Sequence, residues 1–399
     1  MVFNEMYSLS ILNNTIFSKS SGLILTGSLD VVVLSNEFEV SSNGFTSSDS
    51  VGNFTENVII GNCYEQDCKT VYFSEVALNG IKLLDRSEFT IERNNLTNFD
   101  VSINITNSFG LTSLNELDLS NIGISIQGSQ NYLVSYNSLT NSIMPVKIQD
   151  SEHITVSNNN ISHFLVGIKT FNSTINLLSN NFQNGELCLE FIDSEYTLPT
   201  YENFDCSDSY VYVKYNVRIN ILTDDEIPSP NHQYYYYNDF ESEKIYSQTN
   251  TNGLSNYMTL TTLKVDNSGL NINFNNYYFG YFHNEILNEI ELELNKNSTV
   301  MAYLDTSAPT TTLSTSDSLI NTELITLYFN KTSEKNDLMD YDLFVLKNDG
   351  INFAQWEFVG TYNESSINYD GEDDTKYRFK VISRDIYGNI EVKSEHDCE

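Results

Sequence analysis

Two acidic turns of this sequence contain residues whose types and spacing could bind a ligand. The segment DGEDD places three aspartates, Asp370, Asp373 and Asp374, within five positions, and a second acidic turn, TDDE, occupies 223–226. Oxygen atoms are the ligands that Ca²⁺ prefers, so we expect calcium as a candidate cofactor at the first turn. Neither turn has the spacing of an EF-hand, and a chain this acidic also produces such clusters by chance. Both interpretations stay open.

Three lysines in the first half of the chain fall on one regular series of positions. Positions 82, 104, 125, 147 and 169 follow one another at intervals of 21 or 22 residues, and Lys82, Lys147 and Lys169 are among them. If this interval is a structural repeat, Lys147 and Lys169 lie side by side on one surface, where like charges repel without an anion. An acidic sugar or the carboxylates of a partner would relieve the repulsion. The alternative is two solvated side chains that lean apart.

The five cysteines could form disulfides or bind a metal. None lies in a CxxC motif and the five histidines are scattered, which argues against a zinc site. We expect the local disulfides Cys63–Cys68 and Cys188–Cys206, formed in an oxidising compartment, with free thiols as the alternative. Cys398 then has no evident partner, which suggests that the chain is part of a longer protein.

The charge balance excludes two classes of partner. The 399 residues include 20 basic and 54 acidic side chains, for a formal net charge of −34. Nucleic acids and anionic membranes both require a basic surface, so neither is expected as a partner. No apolar run has the length of a membrane-spanning helix, and the first residues lack the basic and apolar regions of a signal peptide.

An asparagine two positions before an apolar residue recurs along the first half of the chain. The triplet Asn158–Asn160, in SEHITVSNNNISHF, lies in one of these units. The later units are 21 or 22 residues apart, and the wider gaps around SSNGFTSSDS and around Cys63 are interpreted as insertions. The recurring asparagines are Asn14, Asn36, Asn62, Asn94, Asn115, Asn137, Asn159 and Asn180.

Each repeat unit also carries two short segments in which apolar and polar residues alternate, such as GISIQG at 123–128. A unit of this length cannot form a core alone, but units stacked as coils can, which predicts a β-solenoid with coils about 4.8 Å apart. Asparagine tolerates the left-handed conformation of a tight corner, and its amide can bond to the equivalent asparagine one coil along. The asparagines are therefore predicted to form a structural ladder and not a ligand site.

On these units, residues 1–198 resemble right-handed parallel β-helix proteins, both the pectate-lyase-like group and surface β-helix proteins with NNxI-type coils. The resemblance implies an all-β fold with about eight coils. It does not imply one function, because that group includes lyases, hydrolases, copper-delivery proteins and inert surface proteins. The GHG and RIK segments of polygalacturonase-type enzymes are absent from this sequence, and we expect no catalytic residues.

The second half of the chain has a different texture. After a linker at 199–209, region 210–304 opens with the alternating strand VYVKYNVRINI and resembles carboxypeptidase-regulatory-like β-sandwiches. A Thr/Pro linker at 305–312 precedes region 313–399, whose ending resembles fibronectin type III or Ig-like modules. Trp356 is predicted to be a core residue of this last sandwich.

Nine N-glycosylation sequons occur, no more than chance produces in a chain this rich in Asn, Ser and Thr, and they matter only if the protein is secreted. The sequons begin at Asn13, Asn53, Asn95, Asn104, Asn160, Asn172, Asn297, Asn330 and Asn363.

Three all-β regions in series predict a non-catalytic, extracellular cell-surface protein of structural or adhesive function, most similar to those of archaeal cell envelopes. Self-association into a filament, sheath or surface layer, or binding to other surface proteins and glycans, is the expected partnership. The alternatives are a polysaccharide lyase or hydrolase, and a carbohydrate-binding protein that uses the lysine positions of the β-helix face.

Overall fold

A computed structural model of the chain describes residues 1–61, 77–197, 203–274, 276–283, 286–315, 324–331, 338–348 and 355–398. Throughout these ranges the regular structure is β-strand, as the alternating sequence patterns predict.

The first region is a parallel β-solenoid. It contains the strands β1 (Val2–Asn4), β2 (Ser10–Leu12), β3 (Thr15–Ser18), β4 (Leu23–Thr26), β5 (Val31–Leu34), β6 (Glu37–Val40), β7 (Asn43–Ser48), β8 (Val51–Thr55), β9 (Val58–Gly61), β10 (Ala77–Leu84), β11 (Glu88–Glu92), β12 (Asn95–Thr106), β13 (Phe109–Ser113), β14 (Glu116–Gln127), β15 (Leu133–Ser135), β16 (Ser138–Gln149), β17 (Ile154–Ser157), β18 (Asn160–Phe171), β19 (Thr174–Leu178), β20 (Asn181–Ile192) and β21 (Glu195–Thr197).

Two parallel sheets run along the solenoid. One follows the order β1-β4-β7-β10-β12-β14-β16-β18-β20, and β3, β6 and β9 join it through β12. The other contains nine strands from β2 to β21, so the described part of the chain completes about nine turns, close to the eight predicted. Between the sheets, the inward residues of most coils are fully buried, as Ile103, Ile124, Val146 and Ile168 illustrate. Each such side chain contributes about 1.5–3 kcal/mol through burial.

The predicted asparagine ladder is present, with one rung different. Each described ladder asparagine before Asn180 donates its backbone N–H and its side-chain amide to the Oδ1 of the next rung, as Asn137 does to Asn159 at 2.9 Å. Between Asn36 and Asn94 the rung is Asn57, which accepts from Asn36 and donates to Asn94. The prediction of Asn62 as this rung is wrong, because the insertion follows Asn57; Asn62 itself lies outside the described residues.

The triplet Asn158–Asn160 combines three structural roles. Asn159 is the buried rung, 1% exposed. The left-handed position is not the rung but the residue before it, Asn158, with φ 53°. Asn160 points outward and accepts a hydrogen bond from the amide of Asn181 at 2.8 Å. The corner therefore requires a left-handed residue and a buried side-chain amide at adjacent positions, and the ladder asparagine supplies the buried amide.

A second ladder, of serines, was not predicted. In most coils the backbone N–H of one serine donates to the Oγ of the equivalent serine in the next coil, as Ser129 does to Ser151 at 3.2 Å. The serine hydroxyl donates to the carbonyl two residues earlier, as Ser151 does to Gln149 at 2.7 Å. The serines at this corner are Ser28, Ser50, Ser87, Ser108, Ser129, Ser151, Ser173 and Ser194.

The second region is a two-sheet unit that shares a strand with the solenoid. Its core contains Val217, Ile219, Ile221 and Phe279, all fully buried. Its strands are β22 (Cys206–Thr223), β23 (Gln233–Asn238), β24 (Ile245–Gln248), β25 (Met258–Asp266), β26 (Asn271–Asn273), β27 (Asn276–His283), β28 (Ile286–Glu293) and β29 (Ser298–Leu304).

Strand β22 begins inside the predicted linker 199–209 and pairs with β20 in parallel. Further along, the same strand pairs with β25 in antiparallel and with β29 in parallel fashion. Strands β23, β24, β27 and β28 form the opposing sheet. The solenoid core reaches Val213, so one strand belongs to both cores.

The third region packs two three-stranded antiparallel sheets around Leu327, Leu343 and Val381. Trp356 is not part of this core, contrary to the prediction: it is half-exposed, and the ammonium of Lys380 lies 4.7 Å from the centre of its ring. The strands are β30 (Thr311–Thr315), β31 (Leu324–Lys331), β32 (Leu338–Asn348), β33 (Glu357–Tyr362), β34 (Ser366–Asp370) and β35 (Lys376–Asp385).

Candidate binding surface

The regularly spaced lysines form one outward stripe, in the predicted register. Lys82 pairs with Asn104, Asn104 with Ser125, Ser125 with Lys147, and Lys147 with Lys169 on successive strands from β10 to β18. We call these five residues the lysine stripe. Neighbouring strands are about 4.8 Å apart, so Lys147 and Lys169 are adjacent on the surface.

The same register continues past the solenoid. Lys169 pairs with Glu190 on β20, Glu190 with Tyr212 on β22, and Tyr212 with Lys264 on β25. The lysine stripe therefore leads across one continuous sheet into the second region.

Glu190 is the carboxylate that pairs with Lys169 at the end of the lysine stripe. Its side chain is 7% exposed, its Oε2 lies 2.7 Å from the Nζ of Lys169, and its Oε1 accepts a hydrogen bond from Lys214. Burial alone would raise the pKa of Glu190, but the hydrogen bonds and charges of Lys169 and Lys214 outweigh burial and hold that pKa below its ordinary value.

The anion predicted beside Lys169 is thus supplied by the chain itself. Lys147, by contrast, has no ion-pair partner in the part of the chain that the structure describes. Of the two lysines predicted to contact a glycan or partner, Lys147 is therefore the one that stays available for such a contact.

A cleft of about 580 Å³ lies where this register enters the second region. Its floor contains Leu260, Phe274 and Tyr277, all buried, and its rim contains the exposed Phe240 and Ile245. Strands β22, β23, β25, β26 and β27 and the segment 238–245 supply the walls. We call it the junction cleft; its remaining lining residues are Tyr212, Lys214, Tyr236, Tyr237, Asn238, Glu241, Glu243, Thr259, Thr261, Lys264 and Ile272.

The two lysines of the junction cleft already have partners. Lys214 bonds to Glu190, and the Nζ of Lys264 lies 3.5 Å from Asp208. Both ammonium groups also lie near the ring of Tyr212, at 5.0 and 5.2 Å from its centre. These contacts hold the two lysines in place and neutralise their charges, so Glu241 and Glu243 leave the lining of the cleft slightly acidic.

A second, shallower groove of about 610 Å³ runs along a corner of the last coils. His163, Glu186 and Asp205 line it, together with the exposed Leu165. His163 has φ 58°, since the corner requires a left-handed residue. The groove brings one imidazole and two carboxylates to one surface.

The predicted calcium site is not assembled. Among the described residues, no group of three or more His, Cys, Asp or Glu side chains converges as a metal ion requires. Asp370, Asp373 and Asp374 therefore do not form such a group. In the other acidic turn, Asp224 accepts hydrogen bonds from the backbone N–H of Thr306 at 2.9 Å and of Ser307 at 3.2 Å. That carboxylate has a structural role.

One predicted disulfide is present and the other falls outside the described residues. Cys188 and Cys206 are bonded, with their Cα atoms 5.8 Å apart, and join β20 to the start of β22. Cys63 and Cys68 lie outside the described residues, so their pairing stays a prediction. Cys398 is free and half-buried.

The sequon asparagines are mostly on the surface. Asn13, Asn53, Asn95, Asn160, Asn172, Asn297, Asn330 and Asn363 are exposed. Asn104 is half-buried and its side-chain amide donates a hydrogen bond to Asn79 at 3.0 Å, which makes Asn104 a poor site for glycosylation. Glycosylation of the others stays a prediction.

Two surface residues beyond the lysine stripe follow the repeat interval of the sequence. Glu190 follows Lys169 by 21 residues, so it is the next position of the lysine stripe. Tyr212 follows after a further 22 residues. The junction cleft had no such signal, because its residues come from strands without a common interval.

The fold defines the chain as a parallel β-solenoid followed by β-sandwich-like units. Within the described residues there is no helix of the length and apolar character that a membrane crossing requires. No protein-family model and no curated protein matches the sequence.

Three solved structures share a slight likeness with the chain. A DUF3823 family protein from Parabacteroides merdae is 10% identical, with a TM-score of 0.17 over 46% of this chain and 98% of that one. Another from Bacteroides ovatus is 12% identical, with a TM-score of 0.18 and the same coverage. A set of titin domains is 15% identical, with a TM-score of 0.20 over 42% of this chain and 53% of that one. Likeness at this level carries no argument about function.

Proposed function

We propose that this chain is a non-catalytic extracellular protein of the cell surface, with a structural or adhesive role of the kind that archaeal cell envelopes require. The observation that carries the proposal is strand β22, which is hydrogen-bonded to the solenoid on one side and to β25 and β29 of the second region on the other. A shared strand removes the flexible linker that usually separates two domains. The two regions form one stiff element, suited to spacing or presenting other groups.

The connection to the third region supports the same role. Asp224 binds the backbone of Thr306 and Ser307 in the segment between the second and third regions. Asn389 of the third region donates to the carbonyl oxygen of Asp305 at 2.8 Å. These contacts tie the segment at both ends and restrict bending between the two sandwiches.

The chemistry of the chain suits the outside of a cell. The Cys188–Cys206 disulfide is typical of an oxidising compartment. A formal charge of −34 keeps a long all-β protein soluble and lets divalent cations bridge neighbouring copies, which favours assembly into a filament, sheath or surface layer.

The competing class is a polysaccharide lyase or hydrolase. The groove lined by His163, Glu186 and Asp205 favours it, since an imidazole and carboxylates on one surface can serve as acid and base. Corner geometry accounts for His163 alone, which occupies a left-handed position; Glu186 and Asp205 do not.

Electron microscopy of native cells labelled with an antibody to the chain separates the two classes. Label on the outer surface, in arrays, fibres or a continuous layer, is the expected result. Label confined to the cell interior would contradict the proposal. So would a monodisperse chain that cleaves uronate polymers and loses that activity in His163→Ala but not in His153→Ala, a matched exposed histidine one corner away.

A further inference from the structure

We propose that the junction cleft binds a neutral oligosaccharide. The inference deepens the proposed function, since it names what an adhesive surface protein would hold, and it rests on that function only for its biological setting.

The size and lining of the junction cleft suit a small polar ligand with an apolar face. Its volume of about 580 Å³ falls in the range of known ligand sites. The buried floor of Leu260, Phe274 and Tyr277 is apolar, whereas Thr259, Thr261 and the charged side chains surround it with hydrogen-bonding groups. Pyranose rings present both kinds of surface, C–H groups on the ring faces and hydroxyls at the ring edge.

Phe240 provides an aromatic platform at the rim. Its side chain is 65% exposed, yet the ring is held edge-to-face against the buried Phe274, with the ring centres 5.2 Å apart. The backbone beneath it is fixed by Asn238, which is 5% exposed and accepts hydrogen bonds from the N–H of Phe240 at 2.9 Å and of Glu241 at 2.6 Å. An exposed aromatic ring on a fixed backbone can stack on a sugar face with little loss of entropy on binding.

The charges of the junction cleft favour a neutral sugar over an acidic one. Two lysines, Lys214 and Lys264, share its lining with two glutamates, Glu241 and Glu243. The lysines are already paired with Glu190 and Asp208, so a ligand carboxylate would have to displace a carboxylate of the chain. It would also approach a protein of formal charge −34. Hydroxyls, by contrast, can accept from the ammonium groups and donate to the glutamates without breaking either pair.

Saturation-transfer NMR and calorimetry on the full chain test the proposal. The probes are a panel of neutral glucose, galactose, mannose and xylose trisaccharides, with trigalacturonate as their acidic counterpart. At least one neutral trisaccharide should bind, and Phe240→Ala should weaken that binding about tenfold, because the platform is lost. Phe358→Ala is the matched control: Phe358 is 59% exposed and lies in the third region, so binding should be unchanged.

Three outcomes would overturn the inference. They are the absence of binding by every neutral sugar at millimolar concentration, binding that Phe240→Ala leaves intact, and tighter binding of trigalacturonate than of any neutral trisaccharide. After the last outcome, loss of trigalacturonate binding in Lys147→Ala would assign an acidic glycan to the lysine stripe instead. None of these results alters the labelling experiment on cells, so failure of the ligand and failure of the surface role remain distinguishable.

Discussion

The Nζ of Lys169 lies 2.7 Å from the Oε2 of Glu190, and the two residues occupy the same register position on adjacent strands of the solenoid. Lys214, from the first strand of the next region, binds the other oxygen of the same carboxylate. One buried carboxylate thus links the last coils of the solenoid to strand β22. The link is electrostatic as well as hydrogen-bonded, so it should respond to pH.

Glu190→Gln should lower the free energy of unfolding at pH 7 by about 1.5–3 kcal/mol, since charge-assisted hydrogen bonds are lost and two lysines face each other without an anion. The pKa of Glu190 is lower in the folded chain than in the unfolded chain. Its stabilisation is therefore present above the unfolded value of about 4.3 and is lost as the pH falls through the folded pKa.

Denaturant unfolding of the wild type and of Glu190→Gln, followed from pH 7 to pH 2, checks this prediction. The difference between the two proteins should be largest at neutral pH and should shrink below about pH 4. Glu186→Gln is the control, because Glu186 is exposed on the same strand. A difference that persists undiminished at pH 2 would contradict the assigned role of the charge.

Asn159→Leu should destabilise the solenoid by about 1–3 kcal/mol. The amide of Asn159 donates to the carbonyls of Val134 and Ser157 and to Asn180, and its Oδ1 accepts from Asn137, so leucine leaves buried groups without partners. Thermal unfolding measures the effect. The same change at the exposed neighbour Asn160 should alter stability by no more than about 0.5 kcal/mol. Equal effects at both positions would exclude a ladder as the cause.

Leu114→Gly should leave the stability of the chain within about 0.5 kcal/mol of the wild type, although a glycine substitution usually destabilises. Leu114 has φ 57° and is 45% exposed, so its side chain strains the backbone and buries about half of its surface. Relief of a left-handed strain of about 1–2 kcal/mol offsets both the lost burial and the added entropy of the unfolded chain. Leu133→Gly, in strand β15, is the control and should destabilise by about 1 kcal/mol. Chemical denaturation compares the two variants, and loss of stability in both would refute the strain argument.

Removal of the Cys188–Cys206 disulfide should lower the free energy of unfolding by about 2–4 kcal/mol. The bond spans 18 residues and fastens the last coil to β22, and both cysteines are buried, at 0% and 4% exposure. In the double variant Cys188→Ala/Cys206→Ala, hydrogen exchange should accelerate more in β20 and β22 than in β14, which lies several coils before β20. Uniform acceleration along the whole solenoid would point to a global effect instead.

Peptide mapping without reductant tests the remaining cysteines. Cys63 and Cys68 should be recovered as one linked peptide, and alkylation of both without reductant would disprove the pairing. Burial, assisted by the charge of Asp397, raises the pKa of the Cys398 thiol to about 11. Alkylation of Cys398 in the folded chain at pH 7.5 should therefore be slow, and it should become fast in denaturant.

The periodic half of the fold could be predicted almost entirely from residue spacing. The register that pairs Lys147 with Lys169 follows directly from an interval of 22 residues, as does the contact of Asn137 with Asn159. The error at Asn62 arose where the interval was broken by an insertion, because an Asn two positions before an apolar residue also occurs there by chance. The serine ladder, with the same spacing, was accessible from the same pattern.

Sequence spacing thus determined the coil contacts, since in a solenoid each residue meets the residue one repeat away and distance along the chain converts directly into distance in space. The contact of Lys214 with Glu190, the half-exposed setting of Trp356 and the walls of the junction cleft depended on the folded chain. Lys214 lies two positions beyond the register partner of Glu190, so its side chain reaches the carboxylate diagonally across the parallel pair of β20 and β22. At Trp356 and in the cleft, antiparallel pairing and irregular segments bring together residues that share no interval, so only packing in three dimensions selects the neighbours.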